Sequence, residues 1–180
     1  MKRFCSWLLF KRMGWTAHVD QPCPEKCIIC VAPHTSNWDF IIGELYNVAT
    51  GLKSNFLMKK EWFFWPLGML FRRMGGIPVH RQKHTSMTDT LATAIGERDH
   101  FRLCITPEGT RKRVTEWKRG FYVIAQKANI PILLYAIDYQ RKLIECTRTI
   151  QPSGDIEADM KNIKLYYKDY KGRKPELFAI

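Results

Sequence analysis

Short apolar runs at residues 27–31, 55–58, 76–79, 101–106 and 131–138 recur along this chain, with segments of helical composition between them. Alternation of this kind favours a mainly parallel sheet, because a parallel neighbour is reached through a crossover of a dozen or more residues, usually a helix. Apolar residues at helical spacing stand at Phe40, Ile41, Leu45 and Val48, within residues 85–98 at Leu91, Ala92, Ala94 and Ile95, and within residues 120–128 at Val123, Ile124 and Ala125. Residues 142–150 offer a further strand. Pro152-Ser153-Gly154-Asp155 then reads as a turn, with Asp155 capping a final helix through Tyr167 and Gly172 and Pro175 marking its end. The 180 residues, 46% of them hydrophobic, suit a single core, and no internal repeat or long linker divides them. The expected fold is α/β: one domain with a mainly parallel central sheet flanked by helices, preceded by an amino-terminal amphipathic helix suited to an interface.

In such a sheet ligand crevices form at the carboxyl ends of the strands, so polar side chains placed directly after an apolar run are positioned for chemistry. Cys27-Ile28-Ile29-Cys30-Val31 leads into Ala32-Pro33-His34-Thr35-Ser36-Asn37-Trp38-Asp39-Phe40. Asp39 has two readings here. With Ser36 as N-cap it is the acidic residue three positions on, favoured by the helix dipole. It also follows His34 by five residues. On a regular helix that spacing separates two side chains by about 140°. Across a turn, with His34 in the loop and Asp39 in the first helical turn, the carboxylate can bond one imidazole nitrogen and leave the other free as a general base.

Two further strand ends are cationic. Residues 101–106 run into Pro107-Glu108-Gly109-Thr110-Arg111-Lys112-Arg113. Gly109 permits close backbone approach, Thr110 offers a hydroxyl, and Arg111 suits a phosphate through two parallel charge-assisted bonds. Glu108 either holds Arg111 in position or accepts a bond from a substrate hydroxyl. The plain alternative is an ordinary turn followed by a solvated basic face. Gly75-Gly76-Ile77-Pro78-Val79 leads similarly to His80 and Arg81, where Arg81 serves as an anion ligand or as a surface ion pair. Lys118 and Arg119 precede Gly120 at an expected helix start, which suits an anion, although a solvated charge pair is the more ordinary reading of either.

The 29 Lys and Arg against 17 Asp and Glu give a net charge of +12, which implies an anionic partner: nucleic acid, a phosphorylated small molecule or an anionic membrane surface. No apolar run approaches the roughly 20 residues needed to span a bilayer. Residues 4–10, followed by Lys11 and Arg12, lack a signal-peptide cleavage site. The expectation is a cytoplasmic protein bound peripherally to the cytoplasmic face of a membrane. Residues 1–15 combine Lys2, Arg3, Lys11 and Arg12 with Phe4, Trp7, Leu8, Leu9 and Phe10, the pattern of a helix lying in the headgroup layer. Residues 59–73 set Trp62, Phe63, Phe64 and Trp65 between basic flanks, which suits either a membrane surface or the protein core. Six cysteines stand at 5, 23, 27, 30, 104 and 146. Cys23, Cys27 and Cys30 invite a zinc reading, yet there is no second Cys-x-x-Cys to close a site, so reduced structural thiols are expected and no metal is assigned.

Taken in order, His34 to Asp39, Gly75 to Arg81, Pro107 to Arg111 and Ile130-Pro131-Ile132 resemble the four blocks of the PlsC-like glycerolphosphate and 1-acyl-glycerol-3-phosphate (lysophosphatidic acid) acyltransferase family, over about residues 28–138. The resemblance implies an acyltransferase domain over residues 19–180 behind a membrane-associating segment at 1–18. It further implies transfer of a fatty acyl group from acyl-CoA or acyl carrier protein to the hydroxyl of a phosphorylated glycerol lipid, as in phospholipid biosynthesis, with the thioester as co-substrate and no cofactor. By position, His34 becomes the base and Asp39 its orienting partner. Arg81, Glu108, Gly109, Thr110 and Arg111 become acceptor-binding residues; Lys118, read from its place before a helix start and not from the family blocks, is added to them as an anion ligand. The chain departs from the family pattern at Pro33, where Asn is common, at His80, where Asp is usual, and at Thr106, where Phe is usual.

Direct transfer without an acyl-enzyme is the expected route. Ser36 and Cys104 are the alternative nucleophiles, but no Gly-x-Ser-x-Gly elbow exists and Cys104 falls within a strand-like run. Two competing functions remain. One keeps the chemistry and changes the acceptor to another monoacyl lipid, of the amino-acid lipid or lipid A precursor type. The other is a non-enzymatic basic module in which Trp62, Phe63 and Trp65 stack nucleic-acid bases or meet a membrane. That second reading leaves His34 and Asp39 unexplained, so nucleic acid is not the expected partner.

Overall fold

A computed structural model describes residues 1–79 and 87–180. Along the chain, helix α1 (Lys2–Ser6) continues as a π-helical stretch (Trp7–Arg12). Then follow β1 (Thr16–Val19), β2 (Lys26–Ala32), α2 (Trp38–Thr50), β3 (Asn55–Lys59), α3 (Leu67–Arg73), β4 (Gly76–Val79) and α4 (Met87–Gly96). The remainder comprises β5 (Phe101–Ile105), α5 (Gly120–Ala128), β6 (Ile132–Asp138), β7 (Leu143–Ile150) and α6 (Ile156–Tyr167). The strands form one seven-stranded sheet in the order β1-β7-β6-β2-β5-β3-β4. Every neighbouring pair is parallel except β6 and β7. A short connection, with Lys142 in the left-handed region at φ 49°, turns β6 directly into β7 and leaves no length for a crossover.

The run of apolar residues in β2 and β6 follows from burial on both faces. Ile28, Cys30 and Ala32 of β2, with Ile132, Leu134 and Ala136 of β6, face a core completed by Leu91 and Ile95 of α4, Phe121 and Ile124 of α5, and Met160 and Ile163 of α6. The intervening residues Cys27, Ile29, Leu133, Tyr135 and Ile137 face the opposite core with Ile42 and Tyr46 of α2 and Leu9 of the amino-terminal helix. Asp155 caps α6 as expected, its Oδ1 accepting the N–H of Ala158 at 3.0 Å.

Three elements differ from the sequence expectation. Strand β1 has only four residues, mostly exposed, so no apolar run announces it; it forms by pairing with β7. The helix expected over residues 85–98 is seen as α4, which ends two residues early at Gly96; Thr85 and Ser86 lie outside the described residues. The amino-terminal segment is not free: Leu9 and Trp15 are buried in the core, whereas Phe4 and Trp7 are exposed. No helix among the described residues is long and apolar enough to cross a membrane.

Candidate active site

β2 lies between β5 and β6, in parallel register with both: Cys30 pairs with Ile105 and Ala32 with Ala136. The residues that follow these three strands therefore gather at one edge of the sheet. His34 leaves β2, Glu108 to Arg111 leave β5, and Tyr139 leaves β6.

His34 and Asp39 meet across the turn. His34 Nδ1 lies 3.1 Å from Asp39 Oδ2, with the imidazole largely and the carboxylate almost wholly buried. Because a carboxylate oxygen only accepts, the neutral ring carries its proton on Nδ1 and keeps a free lone pair on Nε2. Asp39 Oδ2 also accepts the backbone N–H groups of Thr35 and Ser36, each at 2.9 Å. α2 begins one residue later than a Ser36 cap would place it, with Asn37 at the N-cap position. The reciprocal pattern nevertheless survives, since Ser36 Oγ accepts the N–H of Trp38 at 3.2 Å while Asp39 bonds back to Ser36. Capping and orienting the imidazole are thus two uses of one carboxylate.

Glu108 is the second buried carboxyl. Its Oε1 accepts the backbone N–H of His34 at 2.6 Å, tying the loop after β5 to the loop after β2. Burial pushes this carboxyl up to about 7, against the lowering influence of the His34 N–H bond. It does not brace Arg111, whose guanidinium instead donates to Asn37 Oδ1. Gly109 adopts φ 65°, its N–H donating to Thr106 C=O at 3.1 Å. A Cβ there would stand 3.1 Å from the Lys118 stem, which lies across the loop. Lys118 is fixed there by its own N–H, which donates to Pro107 C=O at 2.7 Å. Thr110 Oγ1 accepts the N–H of Lys112 at 3.3 Å. Glu108, Gly109, Thr110, Arg111 and Lys118 are therefore brought together beside His34. β4 ends at Val79 on the same edge, and Arg81 lies outside the described residues.

The alternative nucleophiles are poorly set. Ser36 Oγ is engaged with Trp38, and burial pushes the Cys104 thiol up to about 12. Among the described residues, no group of three or more His, Cys, Asp and Glu side chains is placed to hold a metal ion.

Two contributions to the site escaped the sequence reading. Tyr139 donates its hydroxyl to Asp39 Oδ1 at 2.8 Å. Residues 171–174, beyond α6, fold back onto the loop after β2: Tyr139 N–H donates to Lys171 C=O at 2.8 Å and Lys174 N–H to Thr35 Oγ1 at 3.1 Å. Tyr139 was discoverable, because the rule that reads chemistry at strand ends applies to β6 as it does to β2. Nothing in the sequence ties residues 171–174 to Thr35.

The family model described as Acyltransferase matches residues 15–138. Among solved structures, the fold is similar to that of the 1-acyl-sn-glycerophosphate (LPA) acyltransferase PlsC from Thermotoga maritima, with a TM-score of 0.59 and 18% sequence identity. That likeness covers 95% of this chain and 78% of the other. No curated protein sequence matches the chain.

Proposed function

The chain belongs to the acyltransferase family, and from that premise we propose that it moves a fatty acyl group from acyl-CoA or acyl carrier protein to the hydroxyl of a phosphorylated glycerol lipid such as 1-acyl-glycerol 3-phosphate. The observation that carries this reading is the His34–Asp39 pair, bonded through Nδ1 at 3.1 Å with Nε2 left to act as base. The acceptor oxygen attacks the thioester carbonyl carbon as His34 Nε2 takes its proton, and Asp39 stabilises the imidazolium that forms. The tetrahedral intermediate then expels the thiolate as the C–S bond breaks. His34 returns the proton to the leaving sulfur, so the products are an ester and a free thiol. Arg111 and Lys118 supply positive charge for the acceptor's anionic group, and Arg81 is assigned the same role from sequence.

We place the protein at the cytoplasmic face of a membrane, where such acceptors reside. Two observations support that placement. Trp62, Phe64, Trp65, Met69 and Leu70 are exposed between Lys59, Lys60, Arg72 and Arg73. A shallow cleft on the amino-terminal helix gathers Lys2, Arg3 and Lys11 around Trp7 and Phe10.

The test is incubation of purified protein with labelled acyl thioesters and a panel of monoacyl lipids, with products identified by mass. Thiol release that requires a phosphorylated monoacylglycerol supports the reading. Release that requires an amino-acid lipid or a lipid A precursor keeps the chemistry and changes the acceptor. Acceptor-independent release makes the protein a thioesterase. No thiol release, together with salt-sensitive binding to single-stranded nucleic acid and none to vesicles, overturns the enzymatic reading.

A further inference from the structure

Resting on that acyltransferase reading, we propose that the carboxy-terminal segment 171–174 completes the acceptor site and that Arg173 acts with Arg111 to bind the acceptor's anionic headgroup.

The segment is held firmly against the catalytic loop. Lys171 C=O and Lys174 N–H make the bonds to Tyr139 and Thr35 described above. Between them, Gly172 sits so close that a Cβ would stand 2.7 Å from Thr35 Oγ1 and 3.1 Å from Pro33 Cβ. The residues on both sides of Arg173 are thereby fixed to the two neighbours of His34. From this anchorage the Arg173 guanidinium lies over the Trp38 ring, 4.8 Å from its centre. Arg111 holds the adjacent residue, Asn37. One arginine arrives from the loop after β5 and the other from a segment bonded to the residue after β6, so the pair approaches this turn from the two strands that flank β2.

Among the described residues, neither guanidinium of the pair meets a carboxylate, so both charges are open to an anion. A guanidinium stacked on an indole keeps the N–H groups at its edge available, in a fork that matches a phosphate or carboxylate. Arg173 also lies within electrostatic reach of the Tyr139 phenol that bonds Asp39, weakly opposing the upward push from burial and the Asp39 charge. The segment lies beyond the residues 15–138 that the family model matches, so the assignment rests on this chain's own contacts.

The test uses the full-length protein and 1-hexanoyl-glycerol 3-phosphate below its aggregation threshold. Calorimetry without thioester reads binding alone, and steady-state assays give separate KM values for acceptor and thioester. Arg173→Gln is expected to weaken acceptor binding and raise acceptor KM by about tenfold, the order expected for losing one charge-assisted contact. The thioester KM stays near wild type, kcat changes less than the acceptor KM, and Arg173→Lys recovers part of the loss. The uncharged 1-hexanoyl-glycerol should lose nothing. Unchanged acceptor binding in Arg173→Gln overturns the proposal, as does a rise confined to the thioester KM, which would assign the guanidinium to the donor's phosphates. Equal losses for charged and uncharged acceptors would reduce Arg173 to a structural role and also overturn it. Because calorimetry needs no turnover, a wild-type protein that binds the acceptor yet transfers nothing counts against the transferase reading alone.

Discussion

The Tyr139 hydroxyl donates to Asp39 Oδ1 at 2.8 Å, so the carboxylate that orients His34 is held on both of its oxygens. Oδ2 is shared by the His34 ring and two backbone N–H groups, leaving Tyr139 as the partner of Oδ1. Burial, and then the Asp39 charge, push the Tyr139 phenol well above its ordinary range, so it remains a donor through the working pH range. Tyr139→Phe should lower kcat on the order of tenfold, matching about 1–2 kcal/mol for a lost bond to a charged group, with both KM values little changed. Without that donor one oxygen of Asp39 is no longer held, so the carboxylate fixes the His34 ring less firmly. Steady-state kinetics check this; an unchanged kcat in Tyr139→Phe would leave the bond a role in folding only.

Replacing the pair itself should be far more costly. His34→Ala removes the base and is expected to abolish nearly all transfer while membrane binding persists. Asp39→Asn is expected to cost on the order of 100-fold or more in kcat. An amide nitrogen cannot accept, so the substituted side chain must leave either Tyr139 or the Thr35, Ser36 and His34 donors without an acceptor. Wild-type turnover by purified His34→Ala would refute the mechanism.

Much of this geometry was readable before any coordinates. The strand-end rule singled out His34, Asp39, Glu108 and Arg111, which the fold brings together, because β2 and β5 are mainly apolar runs with polar residues close behind their ends. The parallel sheet was readable for the same reason. β1 was not, since its four residues are held by pairing with β7 and carry no buried stripe. Glu108 shows the limit most clearly. Its neighbour in sequence, Arg111, suggested an ion pair, whereas its partner in space is the His34 N–H, 74 residues away. Such a contact depends on β2 and β5 lying side by side, which local sequence does not encode. Residues 171–174 reach the site by the same kind of long-range closure.

Glu108 gives a stability prediction with a definite sign. Its folded-state carboxyl is pushed up to about 7 by burial, above the ordinary value of 4.5, so the native state holds a proton that the unfolded chain releases. Its contribution is therefore fully present below about pH 4.5 and is lost as pH rises through about 7. Denaturant melts of wild type and Glu108→Gln should diverge across that window, wild type losing on the order of 3 kcal/mol relative to the variant. Gln keeps an oxygen for the His34 N–H, so Glu108→Gln should retain much more activity than Glu108→Ala, which leaves that N–H unpaired. Parallel pH dependence in the two proteins would show that Glu108 is not held protonated by burial.

The exposed aromatic segment after β3 makes its own demand on experiment. Trp65 is 79% exposed, Met69 61% and Phe64 54%, an arrangement a protein core does not explain. Lys59, Lys60, Arg72 and Arg73 are exposed at its flanks, and β3 runs parallel to β5, so the segment leaves the same edge of the sheet as Glu108 and Arg111. Trp side chains favour the headgroup layer and each nearby cation adds roughly 1 kcal/mol on an anionic surface. The double variant Trp62→Ala/Trp65→Ala should therefore bind anionic vesicles at least tenfold more weakly. Since both indoles are more than half exposed, its melting temperature should stay near wild type. Turnover of a monomeric short-chain acceptor should be retained while turnover of the same headgroup presented in vesicles falls, because only the second reaction requires the sheet edge to meet a bilayer. Vesicle sedimentation at low and high salt, paired with the two assays, separates these effects; equal losses on both acceptors would place the tryptophans in the site itself rather than on the membrane.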